Sequence, residues 1–353
     1  MKVNMVTTWG KKGGIASYSS FLHEHLIEFV DVSIISIDKL RKNPFYYNQI
    51  ADKSAEETDL IHVQHGFELF GKLFFSGVYA PVFYSKISDY PVVTTMHEVK
   101  DLQKIEHYSH IKGKVGKFLL RKVTRPVLES SNLVLVHTAS DKEILRGLNG
   151  SAKVRVLPHG IVRREVRGKE KSKKELGLEG KKVVTIFGFA SERKGHDRLV
   201  SKFDKIEGDA VLLIAGEVRS SSYKGKLKKI AEDIEVEERI KFLGYIPSEK
   251  LSTVFGASDL LVFPHRHITQ SGAVSMSIGY GKPVLVSNAF RIDDYPVESF
   301  DSDKDMIQKI NSLLRNKKRR KGLIKKAKKY REENSWRKVA ERTRKIYEGV
   351  LSP

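Results

Sequence analysis

Three short stretches carry side chains suited to holding a negatively charged group. Thr269-Gln270-Ser271-Gly272 follows an apolar run, Leu260–Phe263, and opens another, Ala273–Tyr280, which stops at Gly281-Lys282-Pro283. Such a turn ahead of a helix offers backbone N–H groups and two hydroxyls to whatever lies above the strand end. A helix N-terminus there favours an anion by about 0.3–1 kcal/mol. The plainer alternative is a strand–turn–helix junction with Thr269 as N-cap. Arg193-Lys194-Gly195 stands just past a second β-branched run, Val183–Phe187. Lys194 supplies a compact positive charge of the kind that meets a diphosphate, unless it is a solvated surface lysine. Arg266, upstream of the Thr-Gln-Ser-Gly turn, adds a third basic group. In the first half, Gly13-Gly14 opens a helical pattern with Ile15, Tyr18, Leu22 and Leu26. Its spacing is not G-x-G-x-x-G, so no nicotinamide cofactor is expected.

The elements that must position these residues alternate. Strands are expected at Lys2–Thr7, Val32–Ile37, Leu60–Val63, Val92–Met96, Leu133–Val136 and Val154–Leu157, with helices such as Ile15–Phe29 and Gly113–Ser130 between them. A polar, charged stretch, "IVRREVRGKEKSKKELGLEG", then separates this series from a second one. That series has strands at Val183–Phe187, Ala210–Ala215, Ile240–Phe242, Leu260–Phe263 and Val284–Val286, and helices at Ser222–Ile234 and Ser248–Ala257. Alternation of this kind predicts an α/β fold of two Rossmann-like domains, each a parallel sheet covered by helices. We read residues 1–165 as the first domain, 166–335 as the second, and 336–353 as a closing helix returning to the first. Ligands of open parallel sheets bind beyond the carboxyl ends of the strands, so the site is expected in an interdomain cleft.

Bulk properties narrow the classes further. The chain of 353 residues has no cysteine, which excludes disulfides, thiolate chemistry and cysteine-based zinc sites. No secretory leader is expected at Met1–Thr8, and no stretch approaches the roughly 20 apolar residues of a membrane span. A cytoplasmic location is the expectation. The 64 basic and 43 acidic side chains leave a net charge of +21, which calls for an anionic partner: nucleic acid, an anionic bilayer or a phosphorylated small molecule. Nucleic acid is disfavoured, because the basic runs lack interleaved aromatics and no RRM, KH or zinc-finger signature appears. One cluster, Lys112, Lys114, Lys117, Arg121, Lys122 and Arg125, accompanies Ile111, Val115, Phe118, Leu119 and Val123 at helical spacing. That pattern suits a helix lying on an anionic bilayer at the inner face of a membrane, or an ordinary amphipathic helix with a solvated face. A second cluster, Lys317–Lys321 with Lys325, Lys326, Lys328 and Lys329, reads as a solvated helix face. No metal site is expected. His62, His65, His97, His137 and His159 fall at or after first-half strands without zinc-helix spacing. Asp301, Asp303 and Asp305 resemble half a calcium loop, but its sixth position is Met306, so they read as first-turn acids of a helix.

Ten segments in order are "GGIASYSSFLHEHL", "HVQHGFELFG", "VVTTMHEV", "LVLVHTAS", "VRVLPHGI", "FGFASERKGHDRL", "LLIAGE", "IKFLGYIPSEKLSTVFGASDLLVFPHR", "TQSGAVSMSIGYGKPVLVSN" and "SWRKVAERTRKIYEGV". Together they resemble a retaining glycosyltransferase of the GT-B fold, close to glycosyltransferase family 4. The resemblance implies transfer of a sugar from a nucleoside-diphosphate sugar, held mainly by the second domain, to an acceptor on the first. That acceptor is a glycan or, as the charge suggests, lipid-linked. Carried over by position, Gly13 and Gly14 form the N-terminal loop beside the transferring group. His97 is the histidine near the donor sugar. Lys194, with Arg193, meets the diphosphate. Gly188 is the strand-end glycine, Gly216 and Glu217 lie near the base, and Thr269, Gln270, Ser271 and Gly272 cap the phosphates. Two departures stand out. The paired glutamates of many members fall here on Ile268 and Met276, as in a Thr-Gln-Ser-Gly subgroup, so the ribose carboxylate is missing. Phe189 occupies the position after Gly188 where an arginine is frequent, leaving Arg193 or Arg266 to supply that charge. Donors at the leaving diphosphate need no metal or other cofactor, and the leaving phosphate oxygen can take the acceptor proton. A sugar-nucleotide epimerase of the same architecture is the alternative enzyme, and a basic nucleic-acid-binding protein the alternative from another class.

Overall fold

The structure, a computed structural model, describes residues 1–11, 13–38, 40–41, 43–71, 77–100, 113–266, 272–290 and 295–352, and the side chains of Gly113 and Lys114 are left out of the description. Two compact units emerge: Met1–Gly160 with Trp336–Pro353, and Ile161–Ser335. The boundary falls at Gly160 rather than near residue 165. Ile161 N–H donates to the Asn334 carbonyl and Arg164 N–H to the Gly279 carbonyl, which ties the connecting strand to the second unit.

In the first unit, strands β1 (Lys2–Thr7), β2 (Asp31–Ser36), β3 (Leu60–His65), β4 (Val92–Met96), β5 (Leu133–Val136) and β6 (Val154–Val156) form one sheet in the order β2-β1-β3-β4-β5-β6. Every pairing is parallel. Helices α1 (Gly14–Leu26), α2 (Pro44–Ala55), α3 (Ala80–Ile87), α4 (Gly113–Glu129) and α5 (Ala139–Leu148) cover it. β3 and β4 are buried along their whole length, β4 as a run of β-branched residues ending in Met96 and β3 with His62, Gln64 and His65 buried among its apolar residues.

The second unit opens with α6 (Lys169–Glu175) and then alternates β7 (Lys182–Phe187), α7 (His196–Val200), β8 (Ala210–Ala215), α8 (Ser221–Asp233), β9 (Ile240–Gly244), α9 (Leu251–Ala257), β10 (Leu260–Phe263), α10 (Gly272–Gly279), β11 (Val284–Ser287) and β12 (Glu298–Phe300). α11 (Asp303–Arg315) and α12 (Lys317–Glu333) complete it. The sheet order is β12-β11-β10-β7-β8-β9, again parallel throughout. β12 escaped the sequence reading: it is a three-residue edge strand with one buried side chain, too short to show a period.

The closing helix, α13 (Trp336–Leu351), packs in the first unit along α1. Trp336 stacks on Phe21 at 5.5 Å between ring centroids and meets Tyr18 edge-on at 5.0 Å. Its indole lies so close to Gly160 that a Cβ there would stand 2.3 Å from the ring. Among the described residues, no helix is long and apolar enough to cross a membrane.

Candidate functional site

At the carboxyl ends of the first unit's strands stand histidines. Because β3, β4, β5 and β6 are neighbours in that order, His65, His97, His137 and His159 come side by side although they are scattered through the sequence. His137 donates from Nδ1 to the Leu157 carbonyl at 3.0 Å, and its Nε2 lies 3.4 Å from His97 Nδ1. The other nitrogen of His97, Nε2, is 2.8 Å from the Gln64 side-chain amide. Behind them, His62 joins the Thr95 hydroxyl (2.8 Å) and the Tyr347 hydroxyl of α13 (2.5 Å). Tyr18 fills the centre, 4.6 Å from His97 and 5.1 Å from both His137 and His159 by ring centroids. Burial drives these rings neutral: His62 and His65 fall to about 3, His137 and His159 to about 4, and His97 well below its ordinary range. Among the described residues, no group of histidines and carboxylates converges as a metal cage. The Gly13-Gly14 loop caps α1 nearby in sequence: Gly13 accepts from Ser17 N–H, and both glycines face open space.

The second unit's strand ends carry charge instead. Gly188 follows β7, Gly216 follows β8, and His265 and Arg266 follow β10, three adjacent strands. The β7 and β8 loops are held together by Gly188 N–H donating to Ala215 and Ala190 N–H donating to Glu217. Gly216 has to be glycine, since a Cβ would stand 2.2 Å from the Gly188 carbonyl oxygen. Gly195 adopts a left-handed turn (φ +70°) whose missing side chain leaves room for the Pro264 carbonyl, 2.0 Å from where a Cβ would lie. That turn swings Lys194 back over Gly188, so that its Nζ lies 3.2 Å from the site of a Gly188 Cβ, with the Ala273 methyl of α10 at 3.8 Å. The lysine and the first turn of α10 therefore meet above one strand end.

Lys194 is half-buried, and among the described residues it has no anionic partner. Burial first, and the adjacent Arg193 second, lower its pKa from the ordinary lysine value. The same positive field acts on two buried histidines. Burial and then Lys194 push His196 to about 4 and His265 to about 3. Arg266 is spent elsewhere: its guanidinium grips Asp197 through two bonds of 2.9 and 2.7 Å and the Glu192 carbonyl through a third. It fastens the Lys194 turn to the β10 loop rather than facing a ligand. Glu217 is exposed and reaches Arg219 at 3.4 Å, and Gly272 begins α10 in open space. Thr269, Gln270 and Ser271 lie outside the described residues. The first-turn reading holds for Asp303 and Asp305, while Asp301 precedes the N-cap Ser302. Asp303 pairs with Arg198, and Asp305 accepts from Lys309 and from Asp301 N–H at the start of α11.

Comparison with known proteins accounts for both units. Residues 7–164 match the model described as Glycosyltransferase Family 4, and residues 168–330 that of Glycosyl transferases group 1. The chain carries the GT-B fold of the family 4-like glycosyltransferases. It is similar to the mannosylfructose-phosphate synthase of Agrobacterium fabrum, 25% identical over 148 residues, covering 35% of this chain and 32% of that protein. It is also similar to the alpha-monoglucosyldiacylglycerol synthase of Streptococcus pneumoniae, 23% identical over 243 residues, covering 65% of this chain and 52% of that one. The chain thus spans about half the length, or less, of these curated relatives. Among solved structures, Anabaena Alr3699/HepE in complex with UDP superposes with a TM-score of 0.74 at 15% identity, covering 99% of this chain and 100% of that one.

Two features of the site were out of reach of the sequence. The histidine row depends on strand order, which the chain does not spell out. The Arg266–Asp197 pair depends on the left-handed turn at Gly195, for which the Lys-Gly dipeptide is the one visible signal.

Proposed function

We propose that the protein transfers a sugar from a nucleoside-diphosphate sugar to an acceptor with retention of anomeric configuration. The reading rests on one observation: a half-buried ammonium at Gly188, next to the first turn of α10, without a neutralising carboxylate among the described residues. A leaving nucleoside diphosphate gains negative charge as the glycosidic bond breaks. Lys194 and the amides opening α10 are fixed beforehand to receive it. These donors supply the charge that a metal would otherwise bring, so no metal or other cofactor is required. The leaving phosphate oxygen takes the acceptor's proton. Gly216 and Glu217 serve the nucleoside end. His97 serves the sugar by giving up its contact with Gln64, since both its ring nitrogens are otherwise engaged. UDP is the first nucleotide to try, because Alr3699/HepE was solved with it.

We propose further that the acceptor is lipid-linked and that α4 rests on an anionic leaflet on the cytoplasmic side. Leu120, Val123, Val127 and Leu128 of α4 are buried, while Val115 and Phe118 are each 58% exposed. Lys122 lies over the Phe118 ring, and Arg121 stands exposed beside it. Apolar and basic groups thus share one solvent face. That arrangement suits the interface of an anionic bilayer, where each cation contributes about 1 kcal/mol. The curated relative named for a diacylglycerol product supports the acceptor class.

The test is calorimetric titration of UDP, GDP and ADP, followed by Lys194→Ala. At least one nucleotide should bind, and the variant should bind it about tenfold or more weakly, the scale of a charge-assisted hydrogen bond. Unchanged binding by the variant ends the reading. Co-sedimentation with phosphatidylglycerol vesicles, abolished by Phe118→Ser with Arg121→Ser, tests the membrane part. Equal sedimentation of parent and variant refutes it.

A further inference from the structure

The position after Gly188 carries no cation of its own, because Phe189 stands there, 43% exposed. A cation arrives from the neighbouring loop. Arg219, four residues past the end of β8, lays its guanidinium 4.0 Å from the centre of the Phe189 ring. β7 and β8 pair along their whole length, and their loops continue the pairing through an Ala190–Val218 bridge. That bridge holds Arg219 beside Phe189, whose other neighbour is the glycine under the Lys194 ammonium. Two other arginines of this region are committed. Arg266 is bound to Asp197, and Arg198 to Asp303 and the Pro264 carbonyl.

Stacking uses the face of a guanidinium and leaves its N–H groups at the edge of the plane. Here Nε leans toward Glu217 at 3.4 Å, a long contact, which leaves the two Nη groups as an outward fork. A planar fork stacked on Phe189, the residue after the strand-end Gly188, matches two phosphate oxygens. We propose that Arg219, held flat on Phe189, is a donor-binding residue that contacts the diphosphate of the nucleoside-diphosphate donor. Glu217 and Phe189 are its positioning residues. This rests on the donor-site reading given above. The chain meets the same electrostatic demand as an arginine at position 189 would, from the adjacent strand.

The experiment uses the full chain and two probes, inorganic pyrophosphate and whichever of UDP, GDP and ADP the parent binds most tightly. Arg219→Ala should weaken both about tenfold, the scale set by losing one charged contact, with no change in melting temperature. Arg219→Lys should recover part of the loss, because it keeps the charge but loses the stack and the fork. Phe189→Arg in the Arg219→Ala background should restore most of it. If Arg219→Ala binds both probes as the parent does while Lys194→Ala is weakened, the assignment of Arg219 is wrong and the diphosphate site stands. If Lys194→Ala is also unaffected, the donor site itself is misplaced. Loss confined to the nucleotide, with pyrophosphate unchanged, overturns the phosphate contact and moves Arg219 to the base or ribose.

Discussion

Two six-stranded parallel sheets end in opposite electrostatics. The first unit carries four histidines at its strand ends with His62 behind them, and their hydrogen bonds are internal: to one another, Gln64, Tyr84, Thr95, Leu157, Gly160 or Tyr347. Burial keeps those rings uncharged. The second unit places Lys194 and Arg193 at its strand ends and leaves the lysine unneutralised among the described residues. Most of that neutral network is bonded internally, although His65 Nε2 and the Tyr18 hydroxyl are buried without a partner among the described residues. A half-buried cation without a partner is a standing cost that an anionic ligand removes. In the reading proposed above, the second unit is the one that receives phosphate.

The second unit also contains its own control. At the opposite, amino ends of β7 and β10, Asp259 is buried and bonded by Lys173 at 2.9 Å, Lys169 at 2.6 Å and Val183 N–H at 3.0 Å. At that edge a buried carboxylate holds two lysines, whereas at the other the Lys194 ammonium has no carboxylate among the described residues. Asp259→Asn should therefore lower stability by about 3–5 kcal/mol, because it strands the buried Lys173 ammonium. Lys194→Met should leave the melting temperature unchanged or raise it. Denaturant melts of the two variants measure both effects. If Lys194→Met is as damaging as Asp259→Asn, the lysine is structural and the contrast collapses.

The sheets were legible in sequence because strands buried on both faces must be unbroken apolar runs, as Ala210–Ala215 and Leu260–Phe263 are. The Lys194 turn was legible through Gly195. What stayed hidden depends on which strands are neighbours. Nothing in the spacing of His65, His97, His137 and His159 says that β3 to β6 lie in order. Phe189 and Arg219 likewise look unrelated until β7 and β8 pair. The short edge strand β12 and the destination of Arg266 were lost for the same reason, since both are set by long-range packing.

Acid should separate the two units. A histidine whose folded pKa lies below its unfolded value of about 6.5 is neutral when folded and takes up a proton when the chain unfolds. Stability therefore falls as pH drops below about 6.5, by about 1.4 kcal/mol per pH unit for each such ring, until the folded pKa is reached. Among the described residues whose pKa is pushed down, the first unit has three fully buried rings, His62, His65 and His137, and two half-buried ones, His97 and His159. The second has two, His196 and His265. Burial alone would raise the Asp259 carboxyl, but its bonds to Lys169 and Lys173 outweigh that and hold it below the ordinary aspartate value. Its contribution is thus lost only below about pH 4, the unfolded aspartate range. Both tryptophans, Trp9 and Trp336, belong to the first unit, so their fluorescence reports that unit alone. Between pH 6.5 and 4 the fluorescence transition should precede the loss of far-ultraviolet ellipticity. Coincident transitions would mean that the histidine row does not govern the first unit's acid stability.

The smallest effect probes how the closing helix supports that row. Tyr347 Oη reaches His62 Nδ1 from α13, and His62 in turn contacts Thr95 and the amide of Gln64, which touches His97. Tyr347→Phe keeps the ring and its packing but leaves a buried imidazole nitrogen without a partner, which costs about 1–3 kcal/mol. The loss should appear in the tryptophan-monitored melt, while nucleotide affinity, a property of the second unit in this reading, stays at the parent value. A Tyr347→Phe variant with parental stability would show that the hydroxyl is dispensable to the network. One with parental stability but weakened nucleotide binding would show that the neutral cluster and the charged strand ends are coupled, and the division of labour between the two units would have to be redrawn.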